Sequence, residues 1–227
     1  VSLATYARAQ QASRAREALQ RGTSVSRAVV DAGYGSFRAF YEHGATTLGM
    51  SPNRFRSGGL GEEIRFTSVQ TPRGVVVVAC TPRGVCDVRI GDDEETLIAE
   101  MRAVFTRETV RRDDEGLVGV ARALALGVDG DARAGELPLD VQGTAFQIRV
   151  WEALRRIPLG EVRSYAEVAQ DIGAPTAVRA VASACGANRA AVVIPCHRVR
   201  RSDGSLGGYR WGVDVKAAIL DAEARRR

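Results

Sequence analysis

The sequence predicts an α+β protein built in successive parts, and three observations carry that prediction. Apolar residues recur at helical spacing through roughly residues 1 to 57, short strand-like runs replace them from Ile64, and helix caps and stops dominate from Leu137 onward. At 227 residues, 45% apolar and 26% charged, the chain can bury a real core as one large or two small domains.

In the first part, Leu3, Tyr6, Ala7, Ala15, Ala18 and Leu19 keep helical spacing until Gly22 closes the segment. Thr23 or Ser24 can cap a short helix with Val25, Ala28 and Val29 inward. Ala32-Gly33-Tyr34-Gly35-Ser36 then turns into a second helix carrying Phe37, Phe40 and Tyr41. Helix, glycine turn, helix is the outline of a DNA-reading helix-turn-helix. GMSPNRFR, residues 49–56, ends the unit, and Ser57-Gly58-Gly59-Leu60-Gly61 forms a flexible joint. Beyond it, Ile64–Val69, Gly74–Cys80 and Gly84–Ile90 read as strands of a small sheet, with Thr81-Pro82-Arg83-Gly84 as a connecting turn. Asp92 and Asp93 cap a helix whose apolar face is Leu97, Ile98, Met101, Val104 and Phe105. A charged loop over 107–115 and a helix to about 126 complete this module.

From Leu137, Thr144 and Gln147 make a capping box for a helix that buries Phe146, Val150, Trp151 and Leu154 and stops at Pro158-Leu159-Gly160. Ser164 and Glu167 make a second box and open a helix to Ile172. Gly173-Ala174-Pro175-Thr176 turns the chain, and the next helix runs from about Pro175, in its first turn, to Ala187. Helix, turn, helix thus occurs twice in the chain. Val192–Ile194 reads as a short buried strand, Gly207–Gly212 as a loop, and Val213 to about Ala224 as a final helix.

Composition narrows the function classes. No apolar run approaches the ~20 residues that cross a bilayer, and the first residues are helix-like and polar, so a cytosolic location without membrane association is the default. Cys80, Cys86, Cys185 and Cys196 fit no C-x-x-C metal pair and read as free thiols in a reducing compartment. His43 and His197 are the only histidines, which excludes a metal site of several imidazoles and restricts any imidazole base to these two. A net charge of +5 favours an anionic partner such as nucleic acid. All but one of the 32 basic residues are arginine, a bias that codon composition alone can produce; the exception is Lys216.

The densest chemistry lies in VVIPCHRVRR, residues 192–201, where Cys196 and His197 adjoin Arg198, Arg200 and Arg201. An isolated cysteine beside an apolar run is more often an inert core residue, but such a residue is not normally followed by His and several Arg. Neighbours in an extended segment face opposite ways, so the thiol and imidazole meet only if the chain turns or a water bridges them. His197 could then take the thiol proton while a carboxylate behind it fixes the tautomer; spacing alone does not say which carboxylate.

Pro195-Cys196-His197-Arg198-Val199 resembles the active-site signature of the O6-alkylguanine-DNA alkyltransferases, which move an alkyl group from a damaged guanine onto cysteine. The similarity runs from about Leu137 to Glu223, and less distinctly back to Ile64, through GTAFQIRVWEALRRIPLGEVRSYAEVA, AVRAVASACGAN and GSLGGYRWG followed by Lys216. It implies a ribonuclease-H-like sheet-and-helix subdomain over 64–136 and a mostly helical, winged-helix-like catalytic domain over 137–227. The same resemblance implies roles: Cys196 as acceptor, His197 as water-mediated base, Glu223 as its orienting carboxylate, and Asn188 as the brace of the turn before the active-site strand. Tyr165, Tyr209 and Val199 would border the guanine pocket, with Tyr165 giving a proton to the departing base. Arg179 would fill the gap left by the extruded nucleotide, and Arg198 would contact DNA within the positive cluster. The reaction needs no cofactor and no metal; the partner is double-stranded DNA carrying O6-alkylguanine, with O4-alkylthymine a possible second substrate, and the protein is a monomer that acts once. A guanine O6 alkyl group is reached only by flipping the nucleotide, at a cost of a few kcal/mol that an inserted Arg179 offsets. The helix-turn-helix of this family presses into the minor groove, so affinity would come mainly from phosphates. Arg200 departs from the family, where that position is usually aliphatic; packed under the active-site loop, its charge would need a partner.

Residues 23–57 resemble the second helix-turn-helix of AraC-type activators through AGYGSFRAF, LGMSP and RFR, and Gly44 fits the Ada-type branch, in which such a module precedes an alkyltransferase. This assigns 1–57 to an incomplete AraC-like segment and 58–63 to a linker. In that architecture the segment links repair to transcription regulation. The four-cysteine zinc module of that branch has no counterpart among these residues, so the chain is expected to be a fragment or a reduced version. Two rivals remain: a lesion-binding regulator without transfer, against which Cys196 itself argues, and a Cys-His-Glu hydrolase, which would need an oxyanion hole and would turn over.

Overall fold

The computed structural model describes residues 3–21, 23, 25–34, 40, 63–105 and 109–226. They divide into two compact units, Val1–Glu62 with Arg107–Thr109 and Gln142–Ile148, and Glu63–Thr106 with Val110–Val141 and Arg149–Arg227. The fold is mixed α+β, as the sequence predicts.

In the first unit, helices α1 (Leu3–Gln20) and α2 (Val25–Asp31) pack through small and branched residues. Ala15, Ala18 and Leu19 of α1 bury against Ala28, Val29, Ala32 and Phe40, and Tyr34 meets the Phe40 ring edge-on at 5.1 Å. Gly33, at φ 84°, supplies the left-handed turn after α2. The expected helix residues Phe37 and Tyr41, the GMSPNRFR stretch, the joint at 57–61 and His43 lie outside the described residues.

The second unit begins with β1 (Glu63–Thr71), β2 (Gly74–Thr81) and β3 (Gly84–Gly91), an antiparallel meander that starts at the last residue of the expected linker. Two hairpins of the same sequence, Thr-Pro-Arg-Gly, join the strands. In each turn the threonine hydroxyl accepts the arginine N–H at 3.1 Å, which compensates for a proline that cannot donate. Helix α3 (Glu94–Val104), capped by the Asp93 carboxylate on the Thr96 N–H, covers one face; Leu97 and Met101 bury there against Phe66, Val75, Val77 and Ala79. Helix α4 (Val118–Val128) also packs on β1 and β2.

Part of the charged loop expected at 107–115 is a strand. β4 (Thr109–Arg112) extends the sheet in the order β3-β2-β1-β4. Its arginines hide the β-pattern from a hydrophobicity reading, because an edge strand can keep its side chains in water: Arg111 pairs with Glu63 at 2.6 Å and Arg112 with Glu94 at 2.8 Å. At the opposite edge, β3 is paired by single bridges, Val85 with Leu139 and Val88 with Ala190. The Val88 N–H donates to Arg189 O at 2.7 Å, so the sheet edge seats the segment that leads to Cys196.

The rest of the described chain is mostly helical. Thr144 and Gln147 form the expected capping box of α5 (Ala145–Arg155), with bonds of 2.8 and 3.2 Å. The Trp151 indole N–H donates to Ala184 O at 2.8 Å. Ser164 and Glu167 cap α6 (Tyr165–Asp171), and Gly173 at φ 67° turns the chain toward α7 (Val178–Gly186). That helix starts three residues beyond Pro175, because the Ala177 N–H closes a turn onto Ala174 O first. A two-residue parallel pair, β5 (Arg163–Ser164) with β6 (Val199–Arg200), and the final helix α8 (Val213–Arg225) complete the fold.

The hairpin glycine at φ 104° cannot carry a side chain: a Cβ on Gly74 would stand 2.5 Å from Gly91 O. Gly74→Ala is expected to destabilise the protein by about 1–3 kcal/mol. Gly119→Ala, where a Cβ in α4 meets nothing, is expected to gain about 0.5 kcal/mol. Urea unfolding of the two variants checks the contrast.

Candidate active site

The site is built where α7 ends. Asn188, fully buried, follows that helix, and its side chain holds the next eight residues in shape. Its carbonyl accepts the Ala190 N–H at 2.8 Å, and its amide donates to Ile194 O at 2.9 Å and to Cys196 Sγ at 3.1 Å. Between these anchors Val192 sits at φ 68°, a left-handed conformation that a β-branched residue adopts only when its surroundings enforce it. The expected strand Val192–Ile194 is therefore a buried turn. An apolar run reports burial, and the asparagine that bends it lies outside the run.

After Pro195 the chain makes one 3-10 turn, Cys196–Arg198, which directs His197 toward α8. His197 Nε2 lies 2.9 Å from Glu223 Oε1, with both side chains fully buried. Arg198 grips the same carboxylate through Nε, at 3.1 and 3.0 Å, and Nη2, at 2.8 Å; its Nη1 donates to Ile157 O. The Gly160 N–H adds a longer bond of 3.3 Å to Glu223 Oε2. Burial opposes the Glu223 charge, but the His197 and Arg198 bonds outweigh it and hold the carboxyl down at about 2. A carboxylate only accepts, so Nε2 carries the proton and neutral His197 keeps its lone pair on Nδ1. Nδ1 is buried and has no hydrogen-bond partner among the described residues. Burial lowers the His197 pKa despite Glu223, which favours this neutral form.

Cys196 is the buried end of a cavity of about 350 Å³, lined also by Tyr165, Cys185, Arg201, Tyr209 and Arg210. Burial pushes the thiol up to about 11, moderated by the Asn188 amide and by the charge of Lys216. The Tyr165 and Tyr209 hydroxyls are raised as well, chiefly by burial. Tyr209 stands edge-on to His197 at 6.5 Å and to Trp211 at 5.0 Å.

The geometry brings together Cys196, His197, Glu223, Asn188, Tyr165 and Tyr209, and treats the remaining expected residues differently. Arg179 is exposed in the first turn of α7. Arg198, expected on DNA, has its guanidinium committed inward to Glu223 and Ile157, leaving its side chain only 12% exposed. Val199 is buried outside the cavity lining, and its carbonyl accepts Lys216 Nζ at 2.5 Å. Arg200 is exposed, so its charge needs no buried partner. Lys216 is fully buried and also donates to Leu206 O at 2.5 Å. Its signal was present in the sequence: Lys216, Ile219 and Glu223 fall at i, i+3 and i+7, one face of α8, and that face is the buried one.

Residues 145–225 match the family model described as the DNA-binding domain of 6-O-methylguanine DNA methyltransferase. The regulatory protein Ada of Salmonella typhimurium is 43% identical over 97% of this chain, and the chain spans 63% of the length of that relative. The methylated-DNA–protein-cysteine methyltransferase of Mycolicibacterium paratuberculosis is 36% identical over 71% of this chain and 93% of its own. The crystal structure of Mycobacterium tuberculosis OGT in complex with DNA superposes with a TM-score of 0.56 at 34% identity, covering 72% of this chain and 94% of that one.

The Glu223 network sets a pH dependence. Its folded pKa lies below the ~4.3 of an unfolded chain, so its stabilisation is full above that value and is lost as pH falls through it toward 2. Lowered His197 acts in the same direction below ~6.5, since the unfolded chain then binds a proton that the folded site refuses. The melting temperature should fall steadily on the acid side of neutrality. Glu223→Gln, expected to cost about 3–5 kcal/mol at neutral pH because Arg198 loses its partner, should flatten the part of that fall below about pH 4.3.

Proposed function

The chain belongs to the O6-alkylguanine-DNA alkyltransferase family, and on that premise we propose that it repairs DNA by moving a methyl or larger alkyl group from O6-alkylguanine in a duplex to Cys196, once per molecule. One observation carries the reading: the Cys196 thiol lines a cavity of about 350 Å³, and the adjoining His197 is paired with Glu223 through Nε2 while its Nδ1 has no hydrogen-bond partner among the described residues.

The steps follow from this arrangement. The flipped guanine enters between Tyr165 and Tyr209, which both line the cavity. A thiol raised to about 11 is a poor nucleophile at neutral pH, so its proton passes to His197 Nδ1 through a bridging water. Glu223 stabilises the imidazolium that forms. Sulfur attacks the alkyl carbon, the carbon–oxygen bond breaks, and the electron pair goes to the guanine. Tyr165 gives the base a proton and recovers one from the imidazolium by way of solvent, so the net transfer is from thiol to guanine. The product is a thioether that cellular thiols do not reverse, hence the single turnover.

The DNA contacts belong to the same reading. α7 lies in the minor groove with Arg179 filling the vacated stack, while Arg200 and Arg201, both exposed, meet phosphates. Residues 64–136 form the ribonuclease-H-like subdomain and 137–227 the winged-helix-like catalytic one. Residues 1–57 form part of an AraC-like module, through which the chain joins repair to transcription regulation, in line with its similarity to the bifunctional transcriptional activator and DNA repair enzyme Ada of Escherichia coli.

Intact-protein mass after mixing with excess O6-methylguanine duplex should rise by one methylene per chain, mapped to the Cys196 peptide, and stop there; continued turnover would indicate a hydrolase. Cys196→Ala should abolish the increment. Arg179→Ala should keep it but slow the single-turnover rate by about tenfold or more, since flipping loses its wedge.

A further inference from the structure

Arg210 is the one residue that lines both the Cys196 cavity and a second cavity of about 270 Å³ bounded by Asp87, Arg89, Arg189 and Trp211. Its guanidinium, though exposed, is tied to the backbone. Nε and Nη2 both donate to Gly186 O, at 3.2 and 2.8 Å, and Gly186 is the last residue of α7. A terminal helix carbonyl is an unpaired acceptor at the negative end of the helix dipole, so a guanidinium there is doubly favoured. Both partners are exposed and both line the Cys196 cavity, which places the bridge on the cavity's outer rim.

The loop that Arg210 belongs to needs a tether. Gly204, Gly207 and Gly212 all have left-handed φ, at 86°, 67° and 100°, and glycine segments lose the most conformational entropy on ordering. Lys216 holds the loop at Leu206 O, on its inner side. On its outer side the Arg210–Gly186 bridge fixes the residue next to Tyr209, whose buried hydroxyl has no hydrogen-bond partner among the described residues and so does not fix itself.

We infer that Arg210 is a positioning residue that ties the Tyr209 wall of the cavity to the C-terminal end of α7, so that seating α7 on DNA and setting the wall against the flipped base are one event. The inference rests on the transfer reading above. It predicts that loss of the tie slows the chemical step on bound DNA without weakening DNA binding, because the bridge joins two parts of the protein rather than protein to phosphate.

The test is single-turnover transfer from O6-methylguanine duplex at saturating DNA, with duplex Kd, melting temperature and the iodoacetamide reactivity of Cys196 measured on the same samples. Arg210→Ala should lower the saturated rate about tenfold, the scale of one hydrogen bond from a charged donor, with Kd within about twofold and thiol reactivity unchanged. Arg210→Lys, which keeps a cationic donor, should recover part of the rate. A saturated rate equal to that of the unaltered protein overturns the inference, as does a loss confined to Kd, which would make Arg210 a phosphate contact. A rate loss that follows melting temperature and thiol reactivity overturns it too. Failure of the unaltered protein to transfer at all would instead remove the premise.

Discussion

The buried carboxylate of Glu223 is the constraint on which the half of the chain around the candidate site depends. A charge taken out of water must find donors, and here they come from the 3-10 turn through His197 and Arg198 and from the Gly160 N–H after α5. One side chain on the last helix thereby fixes the His197 ring, the arginine beside it and the approach to β5. The charge is retained for what it imposes on His197, since a hydrophobic replacement of the whole cluster would be no less stable in principle.

Asn188 does for the backbone what Glu223 does for the side chains. It pins both sides of a turn containing a left-handed valine, and in the same gesture donates to the sulfur. Strain held this way gives position: the thiol stands where the asparagine puts it, and no rotation of a free loop has to be waited for. Lys216 adds a third buried polar anchor, on the carbonyls of Val199 and Leu206. The site is rigid behind the sulfur and, at the glycine-rich rim, adjustable.

Much of this was legible beforehand, and the reasons are local. The three meander strands, the α3 and α5 helices and both capping boxes follow from side chains acting on their near neighbours, where sequence distance and spatial distance coincide. The adjacency of Cys196 and His197 likewise announced chemistry. What escaped reading are effects of residues remote in sequence. β4 was hidden by its arginines, the valine turn by an asparagine outside the apolar run, and the inward turn of Arg198 by a partner 25 residues away. Lys216 is the exception, remote in effect yet readable, since a lysine on one helical face with Ile219 and Glu223 belongs to the buried side of an amphipathic helix.

The pairing of the β3 edge has a further consequence. A sheet edge is a row of unpaired amides and carbonyls, and a row as apolar as this one, next to the run of valines in β2, is a template for strands of other chains. Leu139 and the 189–191 segment occupy that row. The stretch that carries the chain toward Cys196 therefore also shields the sheet from polymerisation, and the same few residues serve the sheet and the candidate site. Any version of this protein in which residues 137–227 detach would lose more than the candidate site: it would leave behind a sheet ready to recruit its own kind.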